Sequence, residues 1–200
     1  MIAIINYGLG NLHSVYKAVA YVGGEAEVTE DEETIMQAEK IILPGVGAFK
    51  DGMKGLQTRG LVSALIAAVQ MGKPFLGICL GMQLLFEESE EQGQHCGIGL
   101  ISGKVVSFKQ PGIKVPQIGW NQVEVKKTSS PLKDINNGDY FYFNHSYYCI
   151  PEDPDVVLTV TNYGVPFVSA VENGNLYGVQ FHPEKSQKVG LKILKNFVEI

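Results

Sequence analysis

Cysteine is scarce in this chain: Cys79, Cys96 and Cys149 are the only thiols in 200 residues. An odd, dispersed set cannot build a disulfide framework and fits a reducing compartment. Long apolar runs are absent too. No stretch approaches the roughly 20 apolar residues of a membrane span. The N-terminal MIAIINYGLG also lacks the basic and apolar regions of a secretory signal, so a cytoplasmic protein is expected. Positive charge is in short supply, with 16 Lys and Arg against 21 Asp and Glu. Nucleic acid and anionic membrane both favour a basic face, so neither is an expected partner. His95 and Cys96 are adjacent with no second pair at ligand spacing, so no metal site and no cofactor are expected. No repeat, low-complexity tract or linker divides the chain, and residues 1–200 read as one domain. With 45% apolar residues, a chain of this length can bury a core without staples.

The first half alternates short apolar runs with helix-like segments. Ile2–Ile5, Glu25–Thr29, Lys40–Leu43 and Pro74–Ile78 read as strands, the third ended by Pro44-Gly45. Asn11–Val22, a piece starting near Asp31, Leu61–Met71 and Met82–Glu88 read as helices. Strands separated by helices imply parallel crossovers and an α/β sheet covered on both faces. In the second half, 104–108, 121–125, 140–143, 156–161, 167–172 and 176–181 are strand-like, with Gly, Asn and Pro between them. Several alternate apolar and polar residues, as antiparallel strands with one wet face do. A helix from about Gln187 closes the chain.

Gly77-Ile78-Cys79-Leu80-Gly81 lies between an apolar strand and a helix-like run. This is the layout of a nucleophile elbow, with cysteine in the place of serine. The flanking glycines relieve collisions around a strained turn, and the helix N-terminus beyond it favours an anion on sulfur. A buried structural cysteine is the competing reading. The balance moves with Phe181-His182-Pro183-Glu184. A cysteine nucleophile needs a base, and the base needs an orienting acceptor. If extended geometry persists, His182 and Glu184 project to the same side. A third element is Pro44-Gly45-Val46-Gly47, where glycines on both sides let the Val46 peptide turn its N–H toward a site. That N–H and the one on Leu80 are candidates for an oxyanion hole.

Two motifs fail. Gly8-Leu9-Gly10 begins like a dinucleotide fingerprint, but His13 replaces the third glycine. Gly47 to Met53 has the glycine spacing of a phosphate loop, yet Met53 stands where lysine must reach the phosphates. His13, His95, Cys96 and Cys149 are assigned to structural roles.

On these residues the sequence resembles the triad-type (class I) glutamine amidotransferases, and among them the glutaminase subunits of imidazole glycerol phosphate synthases. The resemblance runs from end to end, through NYGLGNLHSV at 6–15, LPGVGAF at 43–49, GICLGMQLLFE at 77–87, PQIGWN at 116–121, FNHSYY at 143–148 and GVQFHPEKS at 178–186. It implies an open, mainly parallel, flavodoxin-like α/β sheet extended by antiparallel strands. It also implies that Cys79 attacks the glutamine carboxamide, that His182 is the acid–base and that Glu184 orients it. Gly47, Gln83, Ser146 and Tyr147 are implied to bind glutamine, and Val46 and Leu80 to hold the oxyanion. The implied partner is a (β/α)₈-barrel cyclase subunit in a heterodimer, with Asn11, Asn121, Tyr140 and Lys185 facing it. Ile118 stands where methionine is expected, a change that conserves volume. A cysteine hydrolase of peptides or esters, a silent docking subunit and an amidotransferase for surface-sugar synthesis are the alternatives. The complete Cys79, His182, Glu184 set counts against the silent subunit.

Overall fold

Burial of every residue in the first strand decides the architecture. The computed structural model describes residues 1–200. In chain order its first half contains β1 (Ile2–Ile5), α1 (Leu12–Tyr21), β2 (Ala26–Thr29), α2 (Glu32–Gln37), β3 (Lys40–Gly45), α3 (Phe49–Thr58), α4 (Leu61–Gln70), β4 (Phe75–Cys79) and α5 (Leu80–Leu84). β1 and β4 are buried throughout and β3 nearly so, as strands covered on both faces must be. Neighbouring side chains then serve opposite cores. Ile5, Leu43 and Phe75 pack with Ile35, Met53 and Leu65 from α2, α3 and α4. Ile4, Ile42 and Leu76 pack with Val15 and Val19 of α1 and with Ile193 and Phe197 near the C-terminus. Each such side chain, fully buried, contributes about 1.5–3 kcal/mol.

The second half adds β5 (Phe86–Ser89), β6 (His95–Cys96), β7 (Ile101–Ser107), β8 (Gln117–Gln122), β9 (Glu124–Val125), β10 (Tyr140–His145), β11 (Tyr147–Pro151), β12 (Val157–Tyr163), β13 (Val165–Asn173), β14 (Leu176–Val179) and α6 (Gln187–Val198). The main sheet runs β2-β1-β3-β4-β14-β13-β11-β7-β5-β6, with β12 and β9 branching from β13. From β2 to β14 all pairs are parallel. β14 to β13, β13 to β11 and β11 to β7 are antiparallel. β8 and β10 form a separate antiparallel ribbon. The expected mixed sheet, parallel first and mainly antiparallel later, is observed, with β5 on β7 a further parallel pair. No helix is long and apolar enough to cross a membrane.

Four local expectations are corrected. β3 does not stop before Pro44-Gly45 but runs through them, pairing Pro44 with Ile78 and Gly45 with Cys79. The expected helix over Met82–Glu88 is a five-residue helix ending at Leu84, followed by β5. Pairing of β5 with β7 and β6 overrides the helical preference of Glu87 and Glu88. Helix α3 and strand β11 lie where no element is expected from the sequence.

Candidate active site

Strand register builds the site. β14 lies parallel to β4 with Val179 level with Ile78, so the chain after β14 emerges at the same end of the sheet as Cys79. Cys79 closes β4 in a left-handed conformation, φ 54°. That backbone is costly for any residue but glycine and signals strain at a functional turn. The turn closes because Gly81 approaches the neighbouring strand: a Cβ there would lie 1.8 Å from the carbonyl oxygen of Leu43. The elbow is therefore a steric requirement of this packing. Cys79 is buried beneath a cleft of about 240 Å³, below the roughly 300–1,000 Å³ of drug-sized sites and suited to a small ligand. A larger open groove of about 690 Å³ beside α6 is lined by Lys133, Lys188 and Lys192. It holds no cysteine, serine or threonine and no histidine to serve as a base, so size alone does not choose the site.

His182 is sealed behind the cysteine. Its Nδ1 lies 2.9 Å from Oε1 of Glu184, and both side chains are almost fully buried. The pair forms through a one-turn 3₁₀ helix, Pro183–Lys185, and not along an extended strand as the sequence suggests. Two hydrogen bonds pin the turn to β10 and a third closes it on itself. The His182 N–H donates to the Tyr142 carbonyl at 2.9 Å. The Ser186 hydroxyl donates to the His182 carbonyl at 2.6 Å and accepts from the Tyr142 N–H at 2.9 Å. His182 Nε2 is buried and closes no hydrogen bond at rest; catalytic contacts are commonly long until substrate binds. Burial works against a charged imidazole, but the nearby Cys79 sulfur and then Glu184 outweigh it and hold the His182 pKa above its ordinary value. The arrangement can keep a proton on His182 beside the Cys79 sulfur, a pairing suited to attack on a carbonyl.

Of the residues expected at the site, Val46, Gly47, Leu80, Gln83, Ser146 and Tyr147 line the cleft with Cys79. Leu80 opens α5, so its N–H has no intrahelical partner. The glycines around Val46 are not equivalent, which corrects the expectation that both loosen the peptide. Gly45 is clamped in the sheet, where a Cβ would lie 2.3 Å from the Tyr7 hydroxyl, whereas Gly47 sits at φ +104° in open space.

The expected interface residues divide. Tyr140 and Lys185 are both exposed, and Lys185 Nζ lies 5.8 Å from the Tyr142 ring centre. Asn11 precedes α1, its side chain making no capping bond. Asn121 is half-buried and accepts from Gln117, while its neighbours Ile118 and Trp120 are the outward residues of β8.

Several residues with contacts at the site have no assignment from sequence, Glu91, Ser186 and Gln180 among them. Glu91 lines the cleft and accepts from the Phe49 N–H at 2.7 Å; burial raises its pKa, opposed by that hydrogen bond. Ser186 pins the His182 turn, and Gln180 contacts the sulfur. Only Gln180 carries a readable signal, as the lone polar residue in the apolar run Leu176–Phe181.

A model of the family described as glutamine amidotransferase class-I matches residues 3–200. The chain belongs to the class-I glutamine amidotransferases. Within that family it is 50% identical to the Syntrophotalea carbinolica protein named imidazole glycerol phosphate synthase subunit HisH, with 98% of each chain covered. It is 52% identical to the Aquifex aeolicus protein of the same name, over 97% of this chain and 94% of the relative. Among solved structures, one described as a glutamine amidotransferase superposes with TM-score 0.78 at 17% identity, covering 100% of both chains. PurLQS from Thermotoga maritima gives TM-score 0.78 at 20% identity, covering 99% of this chain and 97% of that one. At such identities the structures show a shared amidotransferase fold, with the open α/β sheet common to all of them.

Proposed function

We propose that this chain is the glutaminase subunit of an imidazole glycerol phosphate synthase, hydrolysing L-glutamine to glutamate and delivering ammonia to a cyclase subunit. The observation that carries the reading is the strained Cys79 turn backed by the sealed His182–Glu184 pair. It occurs in a chain about half identical, over nearly its whole length, to proteins of that name.

Cys79 attacks the carboxamide carbon, and negative charge collects on the former amide oxygen. The N–H groups of Val46 and Leu80 receive that charge; losing one such donor typically costs about 3–4 kcal/mol in the barrier. His182 protonates the departing nitrogen, ammonia leaves, and a thioester remains on Cys79. Water deprotonated by His182 then hydrolyses it to glutamate. Gly47, Gln83, Ser146 and Tyr147 hold the substrate, and the Glu91 carboxylate offers a counter-charge to its α-ammonium group. Ammonia released into neutral water becomes mostly ammonium, which is not nucleophilic, so a direct passage to the partner suits this chemistry.

The partner in this reading is a (β/α)₈ barrel. It docks on the face carrying Tyr140, Lys185 and the Asn11 and Asn121 regions, to which Ile118 and Trp120 add exposed apolar surface. Docking of the liganded barrel turns the Val46 peptide into the cleft, with Gly47 as the loose end of the rotation. A liganded complex trapped as the thioester, with the Val46 N–H still turned outward, would refute that switch.

The test of the reading is Cys79→Ala in the complex. Glutamine-dependent synthesis is expected to vanish while ammonium salts still support it, and glutaminase activity surviving in the variant would overturn the assignment. Rescue of a histidine auxotroph identifies the pathway; failure there, with glutaminase intact, points to surface-sugar synthesis.

A further inference from the structure

Gln180 is completely buried, and in the register of β14 on β4 it falls one residue past Val179 as Cys79 falls one past Ile78. Its main-chain N–H donates to the Ser169 carbonyl at 2.9 Å. Its side chain bridges two functional residues. Nε2 donates to the Cys79 sulfur at 3.6 Å, and Oε1 accepts from Gln83 Nε2 at 3.1 Å. Gln83 Nε2 gives its other hydrogen to the Tyr147 carbonyl at 2.9 Å.

The direction of this chain follows from chemistry. A carbonyl oxygen only accepts, so Tyr147 fixes the NH₂ end of Gln83 toward itself. Gln83 must then donate to Gln180, and Gln180 must turn its own NH₂ toward the sulfur. One backbone carbonyl therefore orients two amides. It leaves Gln83 Oε1 without a protein partner on a residue that lines the cleft, and it presents a donor to Cys79.

We propose that Gln180 is a positioning residue for glutamine hydrolysis: its N–H supports negative charge on the Cys79 sulfur, while its oxygen holds Gln83 with the carbonyl free for substrate. A purely structural buried glutamine would need neither end aimed at a reacting group. The proposal rests on the glutaminase reading above.

The two ends can be tested separately. Gln180→Glu keeps an acceptor for Gln83 and, as the carboxylate at alkaline pH, removes the donor to sulfur; Gln180→Met removes both at any pH. The chain's own cysteines provide the readout under iodoacetamide with peptide mapping. Exposed Cys96 is an internal standard, and buried Cys149 becomes labelled only when the fold opens. In Gln180→Met at pH 7, and in Gln180→Glu at alkaline pH, the Cys79-to-Cys96 labelling ratio is expected to fall by about ten-fold or more, the scale of a hydrogen bond to a charged group. In turnover assays with the cyclase subunit, Gln180→Glu lowers kcat with little change in KM. Gln180→Met lowers kcat and raises KM several-fold, because Gln83 keeps the Tyr147 carbonyl but loses its second hold.

An unchanged labelling ratio with Cys149 still protected overturns the proposal. If Cys149 opens in both variants, Gln83→Leu carries the test. It releases the Gln180 amide from the opposite side and is expected to lower the same ratio, and no change there overturns the coupling. Failure of a chloroketone analogue of glutamine to label Cys79 in the wild-type chain is a separate result. It defeats the glutaminase reading itself.

Discussion

Glu184 Oε1 sits 2.9 Å from His182 Nδ1, two residues apart in sequence and joined through a single 3₁₀ turn. The carboxylate can only accept, so Nδ1 carries the hydrogen and Nε2 is left bare, the nitrogen that exchanges protons with substrate in the proposed mechanism. Glu184→Gln preserves shape but allows an amide to donate to Nδ1, which moves the proton to the wrong nitrogen. Turnover of glutamine in the complex is expected to fall on the order of 10³–10⁴-fold with KM little changed. A loss of less than ten-fold, with circular dichroism unchanged, would show that Glu184 does not set the tautomer.

Ser186 holds that turn from the other side. Its buried hydroxyl serves both the His182 carbonyl and the Tyr142 N–H. Ser186→Ala leaves the Tyr142 N–H without a partner, at a cost of about 1–3 kcal/mol, while the His182 carbonyl keeps only the Lys185 N–H at 3.1 Å. With roughly 2–4 °C per kcal/mol for a chain of this size, Tm should drop by several degrees in calorimetry. Activity should fall as well, since the freed turn carries both His182 and Glu184. A variant with the wild-type Tm and kcat would show that the β10 main chain alone fixes the histidine.

The legible parts of this protein are those encoded locally. β1, β3 and β4 are apolar runs because both faces are covered, and the Cys79 elbow and the His182-Pro183-Glu184 turn each fit in a few residues. Helix α3 is hidden by Gly52 and Gly55, which read as breakers. Yet a Cβ on Gly55 would lie 2.3 Å from the Tyr7 carbonyl oxygen, so the helix packs only with glycine there. Glu87 and Glu88 mislead in the opposite sense. They read as helix and are held in β5, where the Glu87 carboxylate accepts from the Gly103 N–H at 2.9 Å. Glu91 and Ser186 take their roles from partners 42 and 44 residues away. No window of sequence displays such contacts.

His145 makes the fold acid-sensitive. Its ring lies among Phe108, Phe143 and Phe167, with centroids 5.3 to 5.8 Å away. Nδ1 is 2.7 Å from the Tyr147 carbonyl, so the neutral ring carries its hydrogen there. Burial lowers its pKa to about 4; the Tyr147 carbonyl opposes this shift and His182 adds to it. The unfolded chain binds this proton near pH 6.5 and the folded chain only near 4, so stability falls as pH drops through that window and levels off below it. The loss amounts to roughly 3 kcal/mol at about 1.4 kcal/mol per unit. Denaturation midpoints at pH 7, 5.5 and 4 should reveal it. His145→Asn, which keeps a donor for Tyr147 without a titrating ring, should show a shallower decline. Equal slopes in the two proteins would assign the acid sensitivity elsewhere.

Two glycines near the cleft should fail differently. Gly81→Ala drives a Cβ to within 1.8 Å of the Leu43 carbonyl oxygen, a backbone atom that cannot swing away. Overpacking of this kind should cost about 3 kcal/mol or more and lower the yield of folded chain. Gly47→Ala meets only Leu9 Cδ1, at 3.9 Å, but its φ of +104° is hostile to an L side chain. The strain costs about 1–2 kcal/mol, which the turn can relieve by leaving the left-handed region. Doing so would shift Val46 relative to Cys79. Gly47→Ala should therefore remain folded by calorimetry while glutamine turnover in the complex falls. Wild-type turnover in that variant would mean that the left-handed turn does not align the Val46 peptide proposed to hold the oxyanion.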